Sequence, residues 1–211
     1  MVAVRFNNSI MGKLILILGI TGSIASGKSL VTELLRKKGA AVLSADQLAR
    51  ELVEPGSRLL AELVIRFGSA ILTADGKLDR EGLGRLVFAD EGERQSLNAL
   101  LHPAIAQLSE QRLTELVKSG VPLVAYEAPL LFEAGGEQRV DKVLVVTVDA
   151  AVQLQRLIAR DQLDEATARM RIAAQMSQQE KIARADYLID NSGSLDDLEK
   201  EVDRLWVELV C

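Results

Sequence analysis

The sequence predicts a three-layer α/β fold built on a five-stranded parallel sheet, with a helical insertion and a smaller helical segment. Three observations predict it. Five short apolar runs are separated by helical patterns rather than tight turns, as parallel strands joined by crossovers require. Gly22 to Ser29 fits the phosphate-loop pattern G-x-x-x-x-G-K-[ST] and lies between an apolar run and an amphipathic helix. The chain has 211 residues, 48% of them hydrophobic, enough for one substantial core with room for insertions.

The first strand is the run Leu14-Ile15-Leu16-Ile17-Leu18, and the stretch from Gly19 to Ser29 follows it. Each fixed position of the loop has a physical reason. Glycines at 22 and 27 let the backbone close around phosphates, and the amides at a helix start face an anion. Lys28 supplies a point charge for the β- and γ-phosphates, and the Ser29 hydroxyl is a Mg²⁺ ligand. The alternative is a Gly/Ser turn that merely joins strand to helix. Leu30, Val31, Leu34 and Leu35 mark the helix, and Lys37-Lys38-Gly39 marks its end.

Ala40 to Leu43 is a second short strand, leading to Ser44-Ala45-Asp46. Ligands sit at the C-terminal edge of parallel strands, which makes Asp46 a catalytic candidate; the competing role is the N-cap of a helix starting near Gln47. From Gln47 to about Gly120 the pattern is almost wholly helical. It is interrupted at Pro55-Gly56, Gly68 and Asp75-Gly76, with Asp79 and Asp90 as caps, and His102-Pro103 opens a last amphipathic stretch. Such a block between strands reads as an inserted substrate domain. His102, the sole histidine, has a structural or acceptor-pocket role there.

Val121 to Tyr126 is the third strand, followed by Glu127, which either assists Mg²⁺ through water or is a solvated loop acid. Val140 to Val148 and Tyr187 to Asp190 are the fourth and fifth strands. Between them lies an arginine-rich helical segment. Arg156 and Arg160 share a helix face, Arg169, Arg171, Lys181 and Arg184 follow, and Ser177-Gln178-Gln179-Glu180 has the capping-box form. The arginines either cover a bound triphosphate or lace a solvent face with pairs to Asp161, Asp164 and Glu165. Ser194 to Val210 is an amphipathic helix that covers the sheet.

Charge and cysteine content narrow the function classes. A net charge of −5 and a pI near 5.1 argue against a protein that wraps nucleic acid. Cys211 is the only cysteine, so no internal disulfide forms, and a cytoplasmic setting is expected. No run reaches the length of a membrane span, and Met1 to Ile10 reads as a flexible extension rather than a signal peptide, with Met11 as an alternative start.

Several stretches together resemble the dephospho-CoA kinase family. They are the phosphate loop, the segment from Ala45 to Gly56, the segment from Asp75 to Arg80, His102-Pro103, Pro129 to Glu133, Gln153 to Asp161, and Ala185 to Gly193. The resemblance implies a P-loop NTPase fold of the nucleoside-monophosphate-kinase kind, with transfer of the ATP γ-phosphoryl group to the ribose 3′-hydroxyl of dephospho-CoA. It implies Asp46 as the base, Arg156 in a lid beside the phosphates with Arg160 assisting, and Asn191 close to adenine. Gly22, Ala25, Ser26, Gly27, Lys28, Ser29 and Leu30 then hold ATP, and Ser29 holds Mg²⁺.

The implied division is a flexible extension over 1–12, a nucleotide-binding core over 13–46, 121–150 and 186–211, an acceptor domain over 47–120 and a lid over 151–185. A monomer is expected, with a weak oligomer as the alternative, and neither nucleic acid nor membrane as partner. Three positions depart from the family pattern. Ser44 stands in place of an Asp, Leu30 in place of a Thr, and Ala25 in place of a Gly, the last tolerable only if its φ stays negative. A related kinase with another nucleoside or nucleotide acceptor, and a nucleotide-sensing module without turnover, are the rival readings.

Overall fold

The computed structural model describes residues 9–10 and 13–210. Of the expected N-terminal extension, residues 1–8, 11 and 12 lie outside the described residues. Ser9–Ile10 (β1) pairs antiparallel with Lys13–Leu14 (β2).

Further along run β3 (Leu16–Thr21), α1 (Lys28–Lys37), β4 (Ala41–Ser44), α2 (Ala45–Glu51), α3 (Arg58–Phe67), α4 (Arg80–Ala89) and α5 (Glu91–Lys118). They are followed by β5 (Leu123–Glu127), β6 (Lys142–Thr147), α6 (Ala150–Asp161), α7 (Glu165–Ala173), α8 (Gln178–Ile182), β7 (Tyr187–Asp190) and α9 (Leu195–Val210). The chain divides into two compact units, Met1–Ser44 with Arg112–Cys211, and Ala45–Gln111.

In the first unit, five parallel strands are ordered β4-β5-β3-β6-β7. The order explains the composition of β3. Paired on both edges and covered on both faces, it buries Ile17, Leu18 and Ile20 completely. It also runs three residues beyond the apolar run that marked it in the sequence. The ladder continues through the pairs Ile20↔Glu127 and Thr21↔Val145, so the phosphate-loop segment begins at Gly22.

One sheet face packs on α1 and α9. Val31, Leu34 and Leu35 meet Leu198, Val202 and Leu205 over Leu18, Ile20, Leu123, Ala125, Leu144 and Val146. The start of α9 is held as its sequence indicates, with the Asp197 N–H donating to Ser194 Oγ at 3.2 Å.

The second unit is helical and has its own core of Val53, Leu59, Leu63, Ile71, Leu83 and Val87. Ser57 accepts from the Leu60 N–H and caps α3; Asp79 accepts from the Gly82 N–H and caps α4. Two local expectations are corrected. Asp46 is not an N-cap: α2 already includes Ala45, so Asp46 stands exposed in its first turn.

His102-Pro103 does not open a new helix either. α5 is continuous from Glu91 to Lys118 with Pro103 inside it. An interior proline removes one N–H donor and costs roughly 3 kcal/mol. The helix persists because Leu97, Leu100, Leu101 and Ala104, on both sides of the proline, pack on the Val53 core. No helix among the described residues is long and apolar enough to cross a membrane.

Candidate active site

At the end of β3 the chain turns through residues 22–27 into α1. The turn is made by alternating backbone handedness. Gly22 has φ 150°, Ala25 φ 61° and Gly27 φ 92°. Two of these positions also exclude a side chain by contact. A Cβ at Gly22 would collide with the Val146 carbonyl oxygen, and one at Gly27 with the side-chain amide of Asn191. The condition set for Ala25 from sequence is not met, because its φ is positive. The left-handed conformation costs an L-residue about 1–2 kcal/mol, so neighbouring contacts must hold it.

Those contacts are side-chain groups bonded to the loop's own backbone. Lys28, buried, donates from Nζ to the carbonyls of Gly22 and Ser23, each at 3.0 Å. Asn191 donates from Nδ2 to the Ser26 carbonyl at 2.8 Å. Gln153, also buried, donates to the Ile24 carbonyl at 2.8 Å, and Gln175 accepts from the Ile24 N–H at 2.8 Å. With the carbonyls of Gly22, Ser23, Ile24 and Ser26 bonded to these donors, the path of the loop backbone is fixed, and the Ser26 N–H closes a turn on the Ser23 carbonyl at 3.1 Å. In the first turn of α1 the Leu30 and Val31 N–H groups bond the Gly27 carbonyl at 3.0 and 3.3 Å, and the Lys28 and Ser29 amides precede them at the positive helix end. Such a nest of amides at a positive helix end binds an anion.

Beside the nest, Ser29 Oγ donates to Glu127 Oε1 at 2.8 Å. Sheet register explains the meeting. Glu127 ends β5, next to Ile20 of β3 and Ser44 of β4, so its carboxylate rises at the same strand ends as the loop. Hydroxyl and carboxylate oxygens are the hard donors that suit Mg²⁺.

The arginines separate clearly. Arg156, half-buried, donates from Nη1 to the Asn191 carbonyl at 2.8 Å, which joins it to the residue holding Ser26. Arg160, one turn on, is not brought to the loop. Its guanidinium is bidentate to Asp161 at 2.7 and 3.1 Å, and Arg171 reaches the same carboxylate at 3.0 Å. The hydrogen bond from Arg160, helped by both positive charges, holds the Asp161 carboxyl below the usual carboxylate range. Arg169 pairs with Glu165 in the same outward-facing way. Asp46 belongs to the other unit, in the helix that begins directly after β4.

Three polar residues of this site carried little signal in the sequence. Gln153 lies one turn before the buried Leu157, so a polar side chain occupies the inward face of α6, a pattern that could have marked it. Gln175 gave no such signal.

Lys181, one of the cations of the arginine-rich segment, is fully buried. Its Nζ pairs with Glu133 at 3.0 Å and donates to the Pro129 carbonyl at 3.0 Å. Glu133 also accepts from the Met176 N–H at 3.1 Å, and Thr21 donates to the Pro129 carbonyl at 3.2 Å. The end of β3 is thus fixed to the Pro129–Glu133 segment, and that segment to the link before α8.

Comparison with known proteins gives the family of the chain. The profile of the dephospho-CoA kinase family matches residues 16–197. The chain belongs to the dephospho-CoA kinase family. A dephospho-CoA kinase of Geobacter sulfurreducens is 49% identical over 192 residues, covering 91% of this chain and 98% of that protein. One from Syntrophotalea carbinolica is 50% identical, covering 92% of each chain. The solved dephospho-CoA kinase of Campylobacter jejuni superposes with a TM-score of 0.70 at 29% identity, covering 92% of this chain and 96% of that one. The reaction of a dephospho-CoA kinase is therefore the activity of this chain, an ATP-dependent phosphorylation that yields CoA.

Proposed function

We propose that the chain catalyses in-line transfer of the ATP γ-phosphoryl group to the ribose 3′-hydroxyl of dephospho-CoA, mainly by positioning and charge neutralisation. The observation that carries this division of roles is the cluster of Lys28, the Ser29–Glu127 pair and the amide nest at one set of strand ends. The amides from Ala25 to Leu30 hold the phosphates, those of Ser26 and Leu30 after leaving the Ser23 and Gly27 carbonyls that they bond in this structure. Lys28 is desolvated and aimed across the loop, and it exchanges a carbonyl of Gly22 or Ser23 for a phosphate oxygen when ATP enters.

Ser29 and Glu127 fit Mg²⁺, Ser29 as a direct ligand and Glu127 through water. The ion, when bound, neutralises charge on the β- and γ-phosphate oxygens. Arg156 uses one donor on Asn191 and has others in its five-donor fork for the transferring phosphoryl group. Asp46, exposed at the start of α2, orients the 3′-hydroxyl and accepts its proton. Arg160 assists only if it leaves Asp161. Asn191, through the Ser26 carbonyl, fixes the loop that would face the nucleotide. The acidic net charge and the lone cysteine fit a cytoplasmic enzyme.

The test is acceptor-dependent ADP release with dephospho-CoA. Lys28→Ala is expected to lower turnover by about 10²–10³-fold, the usual effect of deleting one charge-stabilising donor. Asp46→Asn is expected to lower it by about 10²–10⁴-fold while ATP binding stays intact. Near-normal turnover of Asp46→Asn would remove Asp46 from the role of base.

A further inference from the structure

Ile24 is held from both sides. Its N–H donates to Gln175 in the α7–α8 link, and its carbonyl accepts from Gln153 on α6, both at 2.8 Å. A trans peptide points its C=O and the following N–H in opposite directions, so fixing the Ile24 carbonyl on Gln153 aims the Ala25 N–H away from α6. Ala25 is also where the backbone enters the left-handed region, which an alanine does not adopt unaided. Locally the turn is closed only by the Ser26 N–H on the Ser23 carbonyl at 3.1 Å, and the side chains that fix its central peptide come from residues 153 and 175.

We propose that Gln153 and Gln175 are positioning residues for nucleotide binding. Together they clamp Ile24, force the left-handed turn at Ala25 and so set the amide row that receives the triphosphate. The inference rests on the reading that this loop holds ATP. The clamp ties the loop's shape to the segment that also carries Arg156. The Gln175 arm is anchored in turn, since the next residue, Met176, donates to Glu133, itself paired with buried Lys181. Both glutamines are uncharged and form their bonds to the backbone alone, so their effect is on geometry and not on the local charge.

The test is a thermodynamic cycle read by ATP titration calorimetry and by steady-state kinetics. Gln153→Met and Gln175→Leu should each weaken ATP binding about tenfold, the scale of one lost oriented hydrogen bond. KM for ATP should rise in parallel, with KM for dephospho-CoA little changed and the melting temperature lowered by only a few degrees. Gln175→Glu keeps an acceptor for the Ile24 N–H and should retain most of the affinity.

The deciding arm is Ala25→Gly. Glycine adopts the turn without being forced, so adding it to Gln153→Met or Gln175→Leu should restore most of the lost ATP affinity. Unchanged ATP affinity in folded Gln153→Met and Gln175→Leu would overturn the proposal. So would a loss that Ala25→Gly leaves in place. If the underlying reading were wrong instead, the wild-type chain itself would fail to bind ATP, an outcome distinct from both.

Discussion

The phosphate loop and the outward-facing surface of the 160–173 segment are both rich in polar contacts, yet they use them in opposite ways. Around the loop, buried side chains bond to backbone: Lys28 to Gly22 and Ser23, Gln153 to Ile24, Asn191 to Ser26. On the outer surface, side chains bond to one another: exposed Arg160 to half-buried Asp161, and Arg169 to Glu165, both exposed. The first kind fixes the path of the chain, because removing a partner leaves a buried backbone group without a bond. The second kind exchanges readily with water and salt. Charge count alone does not separate them. Arg156 and Arg160, one turn apart on α6, fall on opposite sides of the line.

The contrast is most sharply tested at Lys181, a cation with the outer surface's sequence character and the loop's environment. Lys181→Met should destabilise the protein by about 1–3 kcal/mol, since it leaves the Pro129 carbonyl and the Glu133 carboxylate without their buried cation. In a chain of this length a thermal midpoint lowered by less than about 2 °C would contradict it. Ala25→Gly comes next. Relieving the left-handed alanine should raise stability by up to about 1 kcal/mol, read as a small rise in the urea midpoint.

The outer surface supplies the smaller effects. Asp161 has a folded pKa below its ordinary value, so between the two values the unfolded chain binds more protons and stability falls as pH falls. Its contribution is fully present above about pH 4 and is lost as pH drops through the lowered folded value. Asp161→Asn should flatten that part of the acid-unfolding curve. Smallest of all, Arg169→Ala should shift stability by less than about 0.5 kcal/mol at neutral pH in ordinary salt.

Much of this was legible in the sequence where the cause is local. The apolar runs located the strands, the Ser177 capping box and the Asp79 cap located helix starts, and the glycine-lysine-serine pattern located the loop. Legibility failed where the cause lies far along the chain. Pro103 looked like a helix boundary because its penalty is local, whereas the packing that overrides it comes from the Val53 core. Lys181 could not be told from the other cations of its segment because its partners, Glu133 and Pro129, lie some fifty residues earlier. Ala25 looked acceptable only with negative φ because the clamp on Ile24 spans 129 and 151 residues. The meeting of Glu127 with Ser29 depends on sheet register between β3 and β5, which lie about a hundred residues apart.

The bond from Asn191 to Ser26 joins groups 165 residues apart. A nascent chain leaves the ribosome N-terminus first, at roughly 5–20 residues per second. The glycine turn therefore emerges about ten to thirty seconds before the amide that braces it. Until translation has passed β7, the loop stands without this brace.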